Sequence, residues 1–422
     1  MKTIFLTHNL EQLDRPALHK LFSDLMFSVE PCYNRCSKYV NFRRQININR
    51  IAYDSGGFAF LLGKIREPPN PKRTCQIYRL LGYTEWDFLV QLDLPPQYYM
   101  PREERIQLIK KSAEYYWMMH GELNTDRLLG VVHGWTEDEL HLSLKLLEDP
   151  DELAVGCNFS TMKPYAHDYI QKRIALGSYN VKTVLAEKIV ATPSCLSEMK
   201  GLCPAGAPSI SKTIALGSYA GTKNSIAWSK KKSNKVLQRV PKNVVFERLC
   251  VAMNMLRNRE VFVLGGSGPN TAHLLFLLGG MYVDGASWRL AAKLWRIYVP
   301  GLGEFSVGRK KIAKRLNDEA IEVMKEHFNS SPLNTITFQE FLKKITSETK
   351  NFEWRALWNA YVLKIEEQIA NQYANDPESY YKYLKKRWSN SPYWRKILEY
   401  CWRRTIKPYV QTKLTVFIKS SF

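Results

Sequence analysis

Short β-branched runs alternate with stretches long enough for a helical crossover along most of this chain, and that rhythm leaves few folds open. The clearest runs are Thr3 to Leu6, Arg50 to Tyr53, Phe88 to Leu92, Leu128 to Val132, Thr213 to Leu216, Val261 to Leu264 and Met281 to Val283. Between them lie amphipathic segments such as Arg102 to Met119, where Ile106, Leu108, Ile109, Ala113, Tyr116 and Trp117 fall near helical spacing. Repeated strand-then-helix units predict an α/β fold with a parallel sheet, either open and doubly wound or closed as a (β/α)8 TIM barrel. Several runs lead into Asp54, Asp93, His133, Gly217 or Asp284. Chemistry-bearing residues therefore collect at the carboxyl ends of strands, where active sites of such folds lie.

One segment breaks the rhythm. Residues 157–212 exceed a single crossover, and the hexapeptide IALGSY occurs at Ile174 to Tyr179 and again at Ile214 to Tyr219. An insertion, or a local duplication of one strand-helix unit, is the plain reading. After Pro300-Gly301-Leu302-Gly303 the pattern turns to long helix-like stretches. The expected organisation is a barrel over 1–305, with an insertion at about 157–212, followed by a C-terminal basic helical subdomain over 306–422.

With 45% apolar and 24% charged residues, the chain can bury a core, which excludes disorder as a whole-chain description. Its formal net charge of +21 points to a polyanionic partner. The excess clusters. From Lys382 to Lys419, eleven basic residues, among them Lys385, Lys386, Arg387, Arg395, Lys396, Arg403 and Arg404, are opposed only by Glu399. Trp388, Trp394, Trp402, Tyr381, Tyr383, Tyr393 and Tyr409 are interleaved with them. Lys and Arg neutralise phosphates, and aromatic rings stack on exposed bases or pack as the core of a helical subdomain. A second basic stretch, with Lys230, Lys231 and Lys232, follows Trp228.

The opening MKTIFLTHNLEQLDRP has no proper hydrophobic region or cleavage site, and the longest apolar run, Leu274 to Val283, is about half of the roughly 20 residues a spanning helix needs. A soluble, cytoplasmic protein with no membrane partner is expected. Eight cysteines contain no Cys-x-x-Cys, and Cys32 and Cys36 form the nearest pair. Reduced thiols are the expectation.

Asp54-Ser55-Gly56-Gly57-Phe58 follows a strand run. Its glycines allow close approach to a flat ligand, Phe58 can stack on it, and Asp54 supplies a carboxylate; alone, such a segment is also a common turn. Further along come Gln91-Leu-Asp93-Leu-Pro-Pro, Val132-His133-Gly134, Leu216-Gly217-Ser218-Tyr, Gly266-Ser-Gly-Pro269 and Asp284-Gly-Ala-Ser-Trp-Arg289. This ordered set resembles the tRNA-guanine transglycosylase superfamily over most of residues 50–300. The ending DGASWRLAAKLWRIYVPG looks closest to the DpdA-type DNA 7-deazaguanine transglycosylases of phages and bacterial genomic islands.

The resemblance implies a (β/α)8 barrel that exchanges guanine in a polynucleotide for a 7-deazaguanine such as 7-cyano-7-deazaguanine. It implies Asp284 as nucleophile and Asp54 as general acid/base. Asp93 would recognise the base edge, Phe58 would stack on it, and Gly56, Gly57, His133, Gly134, Gly217 and Ser218 would line the pocket. Two carboxylates suit the chemistry, because exchange with retention at an anomeric carbon proceeds by double displacement. Arg289, following the nucleophile, joins the basic residues as a nucleic-acid contact. DNA is favoured over tRNA as the polymer, a free 7-deazaguanine base is the second substrate, and a homodimer stays open. If the gene is phage-borne, the compartment is the host cytoplasm.

The departures from the family pattern are specific. The tRNA enzymes carry Gln where this chain has Ala59 and His133. Their structural zinc uses three closely spaced cysteines after the nucleophile and a helical histidine. Here no cysteine lies between Cys250 and Cys401, and Trp358 stands at the histidine position in Ala356-Leu357-Trp358-Asn359. The expectation is no metal and no cofactor, with apolar packing in the zinc's place. The alternatives are the same exchange on tRNA and a non-catalytic nucleic-acid-binding accessory subunit. A glycoside hydrolase would also supply two carboxylates, but it leaves the DSGGF segment and the basic tail unexplained.

Overall fold

The computed structural model describes residues 1–8, 23–45, 48–148, 174–176, 213–216, 242–308, 315–346 and 352–406, except positions 58, 60–64, 66, 67, 99 and 258. In chain order the strands are β1 (Thr3–His8), β2 (Asp24–Ser28), β3 (Arg50–Asp54), β4 (Phe88–Val90), β5 (Leu128–Val132), β6 (Ile174–Leu176), β7 (Thr213–Leu216), β8 (Glu260–Val263), β9 (Gly280–Gly285), β10 (Arg296–Val299) and β11 (Gly303–Ser306). The helices are α1 (Glu30–Arg35), α2 (Pro71–Leu81), α3 (Arg102–Leu123), α4 (Glu137–Glu148), α5 (Lys242–Met255), α6 (Pro269–Leu277), α7 (Ser287–Lys293), α8 (Asp318–Phe328), α9 (Phe338–Thr346), α10 (Phe352–Gln372), α11 (Pro377–Arg387) and α12 (Pro392–Cys401). The fold is α/β. The chain divides into two compact units, residues 27–265 and residues 1–26 with 266–422.

The unit of residues 27–265 is built on a parallel sheet. Strand β3 pairs with β4 (Tyr53↔Leu89), and β4 pairs with β5 (Val90↔Leu129). Strands β6 and β7 each pair with both β5 and β8. All of these ladders are parallel, as the strand-helix rhythm predicts. Strand β5 is buried along its whole length, which is why it reads as an unbroken apolar run rather than an alternating one. The crossovers carry their own stop signals. Asn70 caps α2 by accepting from the Arg73 amide at 3.1 Å, Pro71 opens it, and Gly82 closes it in the left-handed region at φ +72. Helix α3 runs four residues beyond Met119 and ends where Asn124 turns left-handed.

In the other unit, β1 and β9 form a parallel pair in which Phe5 faces Asp284 and Leu6 faces Gly285. Strands β10 and β11 form an antiparallel hairpin. Helix α10 ties these pieces together. Asn359, fully buried, accepts from the Tyr298 amide at 2.7 Å and donates to the carbonyls of Trp288 (3.0 Å) and Arg296 (3.1 Å). Glu367 accepts from the Ile4 amide at 2.7 Å. The boundary expected near residue 305 thus falls inside this unit, where helical segments after 306 are bonded to β1 and β10. Trp358 is fully buried, donates from Nε1 to the Tyr298 carbonyl at 2.7 Å, and packs its ring against Phe341 and Tyr361.

Among the described residues no helix is long and apolar enough to cross a membrane. The free cysteines Cys32 and Cys75 are buried, and burial pushes each thiol up to about 12, which keeps them protonated and unreactive at neutral pH.

Candidate functional site

Parallel pairing of β3, β4 and β5 sets the carboxyl ends of three adjacent strands side by side. Asp54 is the last residue of β3, Asp93 lies three residues beyond β4, and His133 directly follows β5. Asp54 is half-buried, whereas Asp93 and His133 are buried. His133 Nε2 stands 3.1 Å from Asp93 Oδ2. Its backbone is fixed by the amide, which donates to Ser143 Oγ at 2.9 Å.

The segment carrying Asp93 is held from both sides. Gln91 accepts from the Val131 amide at 2.8 Å and donates to the Ser112 carbonyl at 3.0 Å. Ser112 Oγ accepts from the Leu94 amide at 2.8 Å. Gly57 explains its own identity here. A Cβ built on it would lie 2.3 Å from the Asp93 carbonyl oxygen and 2.4 Å from Asp93 Oδ1. The second glycine of Asp-Ser-Gly-Gly therefore makes room for the Asp93 chain, a packing role that the sequence reading had given to a ligand. Gly56 supplies the turn itself, at φ +80. Beneath them Tyr33, bonded to Thr74 Oγ1 at 2.6 Å, and Tyr78, which donates to the Val90 carbonyl at 2.5 Å, have phenols raised by burial, so both stay neutral beside the carboxylates.

Gly134 is equally constrained. A Cβ there would come within 2.5 Å of the Leu140 amide nitrogen. Its carbonyl accepts from Arg248, whose guanidinium lies 4.9 Å from the Trp135 ring centroid. Neither Arg248 nor Glu139 was singled out by sequence reasoning. Glu139 accepts from the Trp135 amide at 2.8 Å and from Arg105 at 2.7 Å. Glu139 is the third of three consecutive acidic residues and Arg248 follows Glu247, so nothing in the sequence singles out either for this role.

In the second unit Asp284 is buried near the end of β9 and accepts from Thr7 Oγ1 at 2.8 Å through Oδ2. Thr7 is itself located by its carbonyl, which accepts from Trp288 Nε1 at 3.3 Å. Gly285 is required by close approach, since a Cβ would fall 2.7 Å from Ser267 Oγ. That hydroxyl lies 3.0 Å from Ser287 Oγ. The Gly266-Ser-Gly-Pro and Asp284-Gly-Ala-Ser segments, far apart in sequence, are thus one packed cluster. Thr7 was not foreseen; only its place at the end of the first strand run marks it.

The basic residues separate into two kinds. Lys385, Lys386, Arg395, Lys396, Arg403 and Arg404 are exposed, on α11, α12 and the turn that follows. Beside them the Tyr381 and Trp402 rings are stacked at 4.3 Å. Arg387 is a correction to the expected surface. Its side chain is 2% exposed and bidentate to Glu366, at 2.7 and 2.8 Å. Trp388 and Trp394 are likewise buried and stacked on each other. His273 completes the buried cluster, with Nε2 2.8 Å from Glu366 Oε2 and Nδ1 2.5 Å from the Tyr380 hydroxyl. Burial alone would raise the Glu366 carboxyl, but Arg387 and His273 hold it down at about 2. Burial, with help from Arg387, lowers His273. Arg289 is half-buried, its guanidinium 5.7 Å from the Trp288 ring and 5.9 Å from that of Phe352.

Phe58, Gly217, Ser218, Lys230, Lys231 and Lys232 lie outside the described residues. Among the described residues no group of three or more His, Cys, Asp or Glu side chains could hold a metal ion. No family model matches the chain, and no curated protein is significantly similar to it.

Proposed function

We propose that this protein is a transglycosylase that exchanges guanine in DNA for a free 7-deazaguanine base, on a (β/α)8 barrel. The observation that carries the reading is the placement of Asp54, Asp93 and His133 at the carboxyl ends of three adjacent parallel strands. That is the end at which α/β folds bind ligands. The order of these residues, with Asp284 later at the end of β9, follows the motif order of the transglycosylases.

In this reading Asp284 attacks C1′ of the target nucleotide. The C1′–N9 bond breaks, and Asp54 delivers a proton to the departing guanine. The resulting glycosyl-aspartate is then attacked by N9 of the incoming base as Asp54 takes its N9 proton, which frees Asp284 and restores the original configuration. No net oxidation occurs, and each proton taken is returned. Thr7, bonded to Oδ2, keeps the Asp284 carboxylate from rotating. Asp93 accepts from N1–H and the exocyclic amine of the base, with His133 Nε2 close beside its Oδ2. Because a duplex hides C1′, the target base must leave the stack, at a cost of a few kcal/mol. The exposed lysines and arginines of α11 and α12 offset that cost by binding phosphates.

The test is exchange of labelled guanine with DNA and tRNA in parallel, together with trapping of a covalent adduct after denaturation. Release from DNA, with an adduct absent in Asp284→Ala, is expected. Exchange on tRNA alone would move the assignment to the tRNA reaction. Binding with neither exchange nor adduct would leave an accessory nucleic-acid-binding subunit.

A further inference from the structure

The repeated hexapeptide has a structural counterpart. Strand β6 holds Ile174-Ala175-Leu176 from the first IALGSY, and β7 holds Ile214-Ala215-Leu216 from the second. On the β5 side, Val131 is opposite Ala175 and also opposite Ala215, and Val132 is opposite both Leu176 and Leu216. On the β8 side, Phe262 is opposite both Ala175 and Ala215. The remaining edge of β5 is already paired with β4. A strand edge carries one ladder at a time, so β5 and β8 offer one position, and two identical tripeptides are in register for it.

We propose that the two IALGSY copies are alternative occupants of a single strand position between β5 and β8. The chain then has two folded forms that differ in which copy completes the sheet. Because the copies are identical and share one register, the residues they have in common face the same sides of the sheet in both forms, while the second copy adds Thr213 opposite Glu260. The connections do not favour either. Between the end of α4 at Glu148 and the start of α5 at Lys242, the first copy leaves connections of 25 residues (149–173) and 65 residues (177–241). The second leaves 65 (149–213) and 25 (217–241), the same two lengths exchanged. Closure cost grows with the logarithm of length, so the two totals are equal. The forms differ in the sequence that follows the shared hexapeptide: Asn180-Val181-Lys182 in one, Ala220-Gly221-Thr222 in the other. This inference does not depend on the proposed reaction.

Proline substitutions test it through the backbone, since a central strand cannot lose an amide without losing a ladder bond. Ala175→Pro, Ala215→Pro, the double variant, and a chain lacking residues 180–219 are compared in the full protein. The readouts are urea unfolding and hydrogen exchange of the β5 and β8 amides. Each single variant should lower the folding equilibrium constant about twofold, through loss of one of two equivalent forms, and leave β5 and β8 protected. The double variant should lower it roughly a hundredfold or more and expose both strands to exchange. The deletion, which keeps one IALGSY and shortens the longer connection, should stay within a few-fold of the parent. A single variant as damaging as the double would show that one copy alone fills the position. A harmless double variant, or an unfolded deletion, would equally overturn the proposal.

Discussion

Thr7 donates its hydroxyl to Oδ2 of Asp284 at 2.8 Å, from the end of the strand that pairs with the one carrying Asp284. The bond fixes the Oδ2 side of the carboxylate. A hydrogen bond to a charged group is worth about 1.5–3 kcal/mol. If Asp284 is the nucleophile, Thr7→Val should therefore reduce kcat roughly 10- to 100-fold while KM changes little. Thr7→Ser should recover most of the loss. Steady-state exchange kinetics separate these outcomes, and a normal kcat in Thr7→Val would remove Thr7 from the mechanism.

Gly57→Ala tests the join between the Asp-Ser-Gly-Gly turn and the Asp93 segment. The added methyl would sit 2.3 Å from a backbone oxygen, which a side-chain rotation cannot relieve. Overpacking of this kind costs about 1–3 kcal/mol. Urea unfolding should show that loss. If Asp93 reads the base edge as proposed, base affinity should fall further than in Asp54→Asn.

The strand rhythm was legible because buried parallel strands write themselves as apolar runs, and β1, β3, β5 and β9 lie where those runs lie. Strand β2 and the β10–β11 hairpin were missed. The hairpin lies across the expected end of the barrel near 305, and its first strand opens on a buried Arg296 paired with Glu304 and is buried at every position, so it shows no alternation. The candidate carboxylates were legible as strand-end residues. The supporting contacts were not, since Thr7 reaches Asp284 and Arg248 reaches the Gly134 carbonyl across long sequence separations. The basic tail was legible as charge but not as geometry, because sequence alone does not show that Arg387 turns inward while Lys385 and Lys386 turn out.

Acid sensitivity should follow the buried His273 cluster. The folded pKa of His273 lies below the unfolded value near 6.5, so the unfolded chain binds the extra proton, and stability falls as pH drops below about 6.5. Glu366 adds a second loss at lower pH. Its carboxyl is held at about 2 against an ordinary value of 4.5, so its contribution is complete above 4.5 and disappears as pH falls toward 2. His273→Gln should flatten the dependence between pH 6.5 and 5 measured by urea unfolding. His120, also lowered by burial, has the same sign and sets the part that remains.

Trp358 occupies the helical position at which the resembled family places a zinc histidine. Buried among Phe341 and Tyr361, it should cost about 3–5 kcal/mol on replacement by Ala. Trp358→Phe should cost less, about 1–3 kcal/mol, for the Tyr298 carbonyl left without its donor. Chelator should leave the unfolding curve of the parent unchanged; a chelator-induced loss would mean that a metal stabilises the fold after all.

The two kinds of basic residue should behave differently toward DNA. Lys385, Lys386, Arg395 and Lys396 are exposed, and each phosphate they neutralise contributes a slope of about −0.9 to the dependence of log K on log salt. Replacing Lys385 and Lys386 by Ala should flatten that dependence by up to about two phosphate contacts and leave thermal stability within about 0.5 kcal/mol. Arg387→Ala should do the reverse. It strands the buried Glu366 carboxylate, at a cost of about 3–5 kcal/mol, and leaves the salt slope of the remaining folded protein as it was. Fluorescence-anisotropy titrations from low to high salt, paired with urea unfolding, distinguish the two. An equal change of slope in both variants would mean that the surface is not read by phosphate contact at Lys385 and Lys386.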